Sequence, residues 1–238
     1  MKTIVLMAGG SEDFAKEGYK FPKYLLEING KPLLEHVINS FSAIDSDFIF
    51  IVKKEDAQKW HLESVIKLLV PDAKVFKVEK ETKGAACTAL FAIDDINNDE
   101  PLLITNGDQI LDIDYKEFSE SFKNKDGGAA IFESVHPRWS YVKLDENGHV
   151  VEASEKRPIS KNATAGTYYY SKGSDFVKSV INMIKKDANV NGLYYVCPAF
   201  NEMILEQKKI STYKIPREHY HSIANVEGLK QYEKFLQK

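Results

Sequence analysis

Residues 2–11 read Lys2-Thr3-Ile4-Val5-Leu6-Met7-Ala8-Gly9-Gly10-Ser11. The unbroken apolar run from Ile4 to Ala8 stops at two adjacent glycines. A run this short, apolar on both faces, predicts a strand buried in a parallel sheet. The glycines after it predict a loop whose backbone can approach a ligand closely. The same grammar continues outward. After Lys31-Pro32, the residues Leu34, Val37, Ile38 and Phe41 recur at helical spacing, with Pro32 near the first turn. Asp47–Val52 predicts a strand, and Trp60, Val65, Leu68 and Leu69 a helix. Ala73–Val78 predicts a strand, Ala85–Ile96 a helix, and Leu102–Thr105 another buried strand. Strands alternating with helices imply a parallel sheet covered on both faces.

The second half changes character. Ala129–Val135, Tyr141–Asp145, Val150–Ser154 and Ala165–Tyr170 are short strands, and Glu146-Asn147-Gly148 is a hairpin turn. Ser174–Lys186 and Val196–Gln207 read as helices, Ile210–Ile215 as a strand, and Val226–Leu236 as a closing helix. The expected class is α/β: a Rossmann-like wound mixed sheet, largely parallel in the N-terminal half, with an antiparallel portion in the C-terminal half. The tyrosines at 168–170 and 194–195 read as sheet core and pocket wall. With 238 residues and no linker or repeat, a single domain over 1–238 is expected.

Composition narrows the function classes. Hydrophobic residues make up 43% and charged residues 28%, as in an ordinary soluble protein. The net charge of −3 argues against a nucleic-acid backbone as a partner. Cys87 and Cys197 form no CxxC, which excludes a cysteine zinc site and a disulfide framework. The apolar run after Lys2 is too short for a leader, and no stretch is long enough to span a membrane. The expectation is a cytoplasmic protein with no membrane partner. A homo-oligomer is compatible with all of this.

In open parallel sheets, ligands bind outside the carboxyl ends of the strands. Three such ends carry unusual residues. The first holds Ala8, Gly9, Gly10 and Ser11, either a plain glycine turn or a backbone cradle for phosphate oxygens. Neither GxGxxG nor GxxxxGK[ST] is present. Lys23 follows Pro22, so its ammonium can be aimed back over the loop. Otherwise it is a solvated charge. Read as part of an exposed loop, it should contribute little to stability. The second end holds Lys83, Gly84 and Ala85. The third holds Asn106-Gly107-Asp108, where Asp108 either caps a turn or holds a divalent cation. Asp112 and Asp114 show a DxD spacing but read better as caps of a helix starting near Tyr115. Glu155-Lys156-Arg157-Pro158 is either a charged surface loop or a receiver for an anionic group. His219 and His221 could share a strand face, though no third metal ligand is evident.

These pieces, in this order, resemble the sugar-phosphate nucleotidyltransferases, the nucleotide-sugar pyrophosphorylases with a GT-A-like fold. The resemblance rests on Met7-Ala8-Gly9-Gly10, on Gly18-Tyr19-Lys20-Phe21-Pro22-Lys23, and on Gly30-Lys31-Pro32-Leu33-Leu34-Glu35-His36-Val37-Ile38. It continues in Thr82-Lys83-Gly84-Ala85-Ala86, in Glu100-Pro101-Leu102-Leu103-Ile104-Thr105-Asn106-Gly107-Asp108-Gln109, and in Glu155-Lys156-Arg157-Pro158 through Ala165-Gly166-Thr167-Tyr168.

The resemblance implies a nucleotide-binding half, 1–125, and a sugar-phosphate-binding half, 126–238. Ala8, Gly9, Gly10, Ser11, Lys23, Lys83, Gly84 and Ala85 would hold the nucleotide. Lys23 would act on the phosphates and Asp108 would bind Mg²⁺. Glu155, Lys156 and Gly166 would line the sugar-phosphate side. The substrates would be an NTP and a phosphorylated sugar or similar metabolite, giving an NDP-sugar for polysaccharide synthesis and pyrophosphate. Three departures from the family pattern stand out. Asp13 falls where the family carries arginine, and would then face the triphosphate. Lys83 replaces a frequent glutamine. Ser222 stands where a second metal carboxylate is usual, with His221 next to it as a substitute. Asp13 and the weak second metal position favour, as an alternative to transfer, a non-catalytic nucleotide- or sugar-nucleotide-binding relative. Asp108 or the Asp112/Asp114 pair leaves a GT-A glycosyltransferase as a third reading, against which the Lys23 and Lys156 motifs speak.

Overall fold

The apolar run forms strand β1 (Lys2–Met7), buried from Thr3 to Met7. The computed structural model describes residues 1–237. The first-half strands that follow are β2 (Glu27–Ile28), β3 (Lys31–Pro32), β4 (Asp47–Lys53), β5 (Lys74–Val78), β6 (Leu102–Asn106) and β7 (Gln109–Leu111). The second half adds β8 (Gly127–Glu133), β9 (Ser140–Leu144), β10 (Val150–Glu155), β11 (Asn162–Tyr170), β12 (Ile210–Lys214) and β13 (Tyr220–Ser222).

The main sheet runs β10-β9-β11-β6-β1-β4-β5, with β8 and β12 attached through β11. Strands β6, β1, β4 and β5 are parallel, with Ile4 level with Ile49 on one side and Ile104 on the other. Strand β11 is antiparallel to β6, β8 and β9. The expected division into a parallel half and a more antiparallel half is therefore present. Side chains of β1 alternate between two cores. Val5 and Met7 join Phe50, Val52 and Leu103 under the helix Leu33–Ser40. Ile4 and Leu6 join Ile49, Ile104 and Ala89 under the helix Gly173–Lys185. Each such side chain, fully buried, contributes roughly 1.5–3 kcal/mol.

Two expected elements differ in detail. The helix predicted over Ala85–Ile96 is divided into Ala85–Ala89, a 3₁₀ turn Leu90–Ala92, and Ile93–Ile96. The helix predicted around Trp60 begins at Leu62, because His61 adopts φ 51° and ends a preceding polar helix, Lys54–Lys59. Asp114 does cap the helix Tyr115–Glu120, accepting from the Lys116 and Glu117 N–H groups at 2.7 and 3.2 Å. His219 and His221 do not converge. His219 Nδ1 lies 2.8 Å from the Asp112 carbonyl, and the His221 ring packs on Phe235 at 4.3 Å.

Candidate active site

Strand β6 ends at Asn106, and Gly107 extends the ladder by donating to the Leu6 carbonyl at 2.9 Å. A Cβ at Gly107 would sit 2.5 Å from Met7 Cγ, so a larger residue here would have to displace the buried Met7 side chain. That turn places Asp108 at the sheet's carboxyl edge. Its carbonyl accepts the Ile223 N–H at 2.7 Å, which ties the turn to the end of β13.

Lys23 reaches the same point from the loop after β1. Pro22 is extended, and one 3₁₀ turn, Lys23–Leu25, follows it. The Lys23 N–H donates to Ser11 Oγ at 3.1 Å, and Lys23 Nζ meets Asp108 Oδ2 at 2.6 Å. The two side chains are 5% and 21% exposed. Lys23 is thus buried, contrary to the expectation of an exposed loop charge. The apolar residues around Pro22 and Tyr24 carry its stem inward. Gly9 lies over this ammonium: a Cβ there would be 3.4 Å from Lys23 Nζ and 3.6 Å from the Tyr24 hydroxyl.

A cavity of about 540 Å³ opens above the pair, with Ala8, Gly9 and Gly10 on one wall. Gly84 and Ala85 with Thr82 and Thr88 form another, and Asn106 and Asp108 the floor. Gly84 takes φ 104°, and a Cβ there would meet the Tyr194 carbonyl oxygen at 2.3 Å. Tyr194 donates to the Lys83 carbonyl at 2.7 Å and accepts from Ala86 N–H at 3.1 Å. The Thr82 and Thr88 hydroxyls are 2.6 Å apart, and both donate to the Gly84 carbonyl.

Four expected positions differ. Ser11, Lys23 and Lys83 do not line this cavity among the described residues, Lys23 lying behind Asp108. Ser11 anchors the Lys23 backbone, and Lys83 is exposed while its carbonyl holds Tyr194. Asp13 sits on the exposed side of the helix Glu12–Lys16, 3.4 Å from Lys16, and does not line the cavity. The acid that approaches the glycines is Glu12. A Cβ at Gly10 would be 1.8 Å from Glu12 Oε2, and Lys53 Nζ lies 3.7 Å from the other oxygen.

The sugar-side residues do not gather on the main cavity. Glu155 and Lys156 line a second cavity of about 630 Å³ with Arg157 and Asn201. Lys156 adopts φ 54°, and its ammonium donates to the Tyr195 hydroxyl at 2.9 Å. Glu155 is 8% exposed and accepts from the Ser140 hydroxyl. Burial pushes its carboxyl pKa up, opposed by the Ser140 hydrogen bond and by Lys156. Gly166, at φ 65°, lies elsewhere, at the shift in register of β11. A Cβ there would strike Gln109 Oε1 at 2.4 Å. The buried Gln109 amide reaches the Ala165 carbonyl at 2.9 Å and the Thr105 and Thr167 hydroxyls at 3.1 Å. The glycine therefore makes room for Gln109.

Sequence reasoning passed over Lys53, Glu55, Glu79, Lys80 and Glu81, which line the main cavity. Their signal was positional: Lys53 ends β4, Glu55 follows it, and Glu79, Lys80 and Glu81 follow β5. No group of three or more His, Cys, Asp or Glu among the described residues could hold a metal. Ser222 pairs with Gln109 across β13 and β7, and His221 faces Tyr232 and Phe235, so His221 does not stand in for the missing carboxylate. One carboxylate at the cavity floor, Asp108, still fits the mode in which Mg²⁺ keeps several waters and takes its remaining ligands from substrate phosphates.

The wound, largely parallel sheet with its antiparallel extension is that of the GT-A-like fold. The chain belongs to the nucleotidyl transferase family, whose profile matches residues 2–214. It is similar to the bifunctional protein GlmU of Methanocaldococcus jannaschii, 28% identical over 213 residues, covering 87% of this chain and 48% of that protein. It is also similar to glucose-1-phosphate cytidylyltransferase of Salmonella typhimurium, 24% identical over 211 residues and covering 79% of each. The chain spans about half the length of the GlmU relatives it matches. A nucleoside-diphosphate-sugar pyrophosphorylase from Vibrio cholerae RC9 superposes with a TM-score of 0.82 at 25% identity, covering 100% of both chains. No helix of the described residues is long and apolar enough to cross a membrane.

Proposed function

We propose that this chain transfers a nucleotidyl group from an NTP to a phosphorylated sugar or a related small phosphate, releasing pyrophosphate. The observation that carries this reading is Asp108 on the floor of the glycine-walled cavity, with the buried Lys23 ammonium held against it at 2.6 Å. An acceptor phosphate oxygen attacks the α-phosphorus in line, and the bond to pyrophosphate breaks. Ala8, Gly9 and Gly10 let the triphosphate approach the backbone, and Gly84 and Ala85 give the nucleoside a flat wall. Lys23 neutralises charge on the phosphates as it shifts toward the leaving group. Asp108 would hold Mg²⁺, which supplies charge neutralisation at the phosphates when bound. Lys156 would leave Tyr195 to meet the acceptor phosphate. Catalysis of this kind is mostly positioning and electrostatics.

One observation favours a second reading, a nucleotide-binding relative without turnover. The cavity wall carries Glu55, Glu79, Glu81 and Asp108 against Lys53 and Lys80. Excess acid opposes a polyphosphate unless a cation accompanies it. Pyrophosphate release, measured with a panel of NTPs and sugar phosphates with and without Mg²⁺, separates the two. Release with one pair supports transfer. Tight NTP binding without release supports the second reading.

A further inference from the structure

Outside both cavities, two guanidiniums close on one aromatic cluster. The rings of Phe132, Trp139 and Tyr220 pack with centres 5.1 to 5.4 Å apart. The Arg138 guanidinium carbon lies 4.1 Å from the Trp139 ring centre, and that of Arg217 lies 6.0 Å from the same ring. Arg217 also sits 5.1 Å from Phe132 and donates through Nη1 to the Tyr220 carbonyl at 2.7 Å. The sequence contains three arginines. Among the described residues only Arg157 has a carboxylate partner, Glu152 at 2.9 Å. Arg138 and Arg217 are brought together without one. Burial lowers the Arg217 pKa, and the neighbouring Arg138 adds to that effect.

Both arginines line a third cavity, of about 240 Å³, with Ser222, Asn225 and Gln231. Its carboxylates, Glu218 and Glu227, are exposed, and Glu227 accepts from the Gln231 amide at 2.9 Å. The cavity adjoins the Asp108 end of the nucleotide site. Tyr220 separates them, and its phenol feels Asp108 on one hand and both guanidiniums on the other.

We propose that Arg138 and Arg217 form an anion site that takes a phosphate group. Two like charges on one aromatic surface repel each other until an anion lies between them. The N–H groups left after Arg217 holds Tyr220 outnumber the oxygens of a carboxylate and suit the three of a phosphate. The phosphate is either a free oxyanion or the ester group of a small metabolite. The site does not depend on nucleotidyl transfer taking place next to it.

Trp139 lies under Arg138 and reports occupancy. In a Trp60→Phe background, its fluorescence would be titrated at constant ionic strength with orthophosphate, pyrophosphate and glucose 1-phosphate, with chloride as the control. A saturable change with at least one phosphate and none with chloride is expected. Arg138→Gln, exposed and outside the core, should weaken that affinity by about tenfold or more, as expected for loss of a charge-assisted contact. Arg217→Lys, which keeps charge but loses the planar fork, should weaken it too. Tighter binding of glucose 1-phosphate assigns the site to a phosphate ester, and tighter binding of the inorganic ions to a free anion. No saturable response to any of the three, or an unchanged response in a folded Arg138→Gln, overturns the proposal. Pyrophosphate release is read separately, so failure of the proposed activity and failure of this site remain distinct.

Discussion

Lys23 Nζ and Asp108 Oδ2 meet at 2.6 Å although 85 positions separate them in the chain. This contact joins the loop after β1 to the turn after β6, both at the carboxyl edge of the sheet. It also gives Lys23 two roles, because a buried ammonium without its partner is costly. Lys23→Ala should lower turnover by about 10²-fold or more, as removal of a preorganised donor does. It should also lower stability, by about 1–3 kcal/mol, through the uncompensated carboxylate and the lost packing. Asp108→Asn should abolish Mg²⁺-dependent turnover and destabilise by a similar amount. The double variant should show a coupling of about 0.5–3 kcal/mol in denaturant unfolding. Strictly additive losses would mean that the pair does not form in solution.

Gly84 has a positive φ and no room for a methyl group beside the Tyr194 carbonyl. Gly84→Ala should therefore strain the turn by about 1–3 kcal/mol. It should also loosen the Tyr194 segment, which is held to Lys83 and Ala86 by backbone hydrogen bonds. Hydrogen exchange at the Tyr194 and Ala86 amides would report it. Protection equal to the wild type, with an unchanged melting temperature, would show that the segment can shift without loss.

Much of this was legible in the sequence. The run Ile4–Ala8, the spacing of Leu34, Val37 and Ile38, and the strand before Asp108 reflect burial on both faces of a sheet, which leaves a strong periodic mark. Strands β7 and β13 left none, because three residues are too few to show alternation. The helix Lys54–Lys59 buries only Ala57 and shows no apolar stripe. At the site, glycine motifs located the backbone walls. The motifs did not tell that Lys23 is buried, since that depends on Asp108 meeting it from a distant strand. Nor could spacing place Asp13. A single turn of helix carries neighbouring side chains to different faces, and it sends Glu12 rather than Asp13 toward the glycines.

That difference can be tested directly. Asp13→Arg should change NTP affinity little, because its side chain pairs with Lys16 and, unlike Glu12, does not lie against Gly10. Glu12→Gln should tighten NTP binding. Removing one charge about 4 Å from a phosphate in water is worth about 1 kcal/mol, or several-fold in affinity. Calorimetric titration of both variants in Mg²⁺ would check this. A larger gain from Asp13→Arg than from Glu12→Gln would show that the loop turns over when nucleotide arrives.

Glu155 should make stability depend on pH in a definite direction. Its carboxyl pKa is raised above the ordinary 4.5, chiefly by burial. In the window between that value and the raised one, the folded state holds a proton that the unfolded chain has released. Stability therefore falls as pH rises through this window and levels off above the folded pKa. Glu155→Gln keeps an acceptor for the Ser140 hydroxyl and removes the titration. The melting temperature of Glu155→Gln relative to wild type should rise from pH 4.5 upward and then become constant. A difference that stays flat across that range would mean that Glu155 titrates alike in both states. The second cavity would then be wetter than its walls suggest.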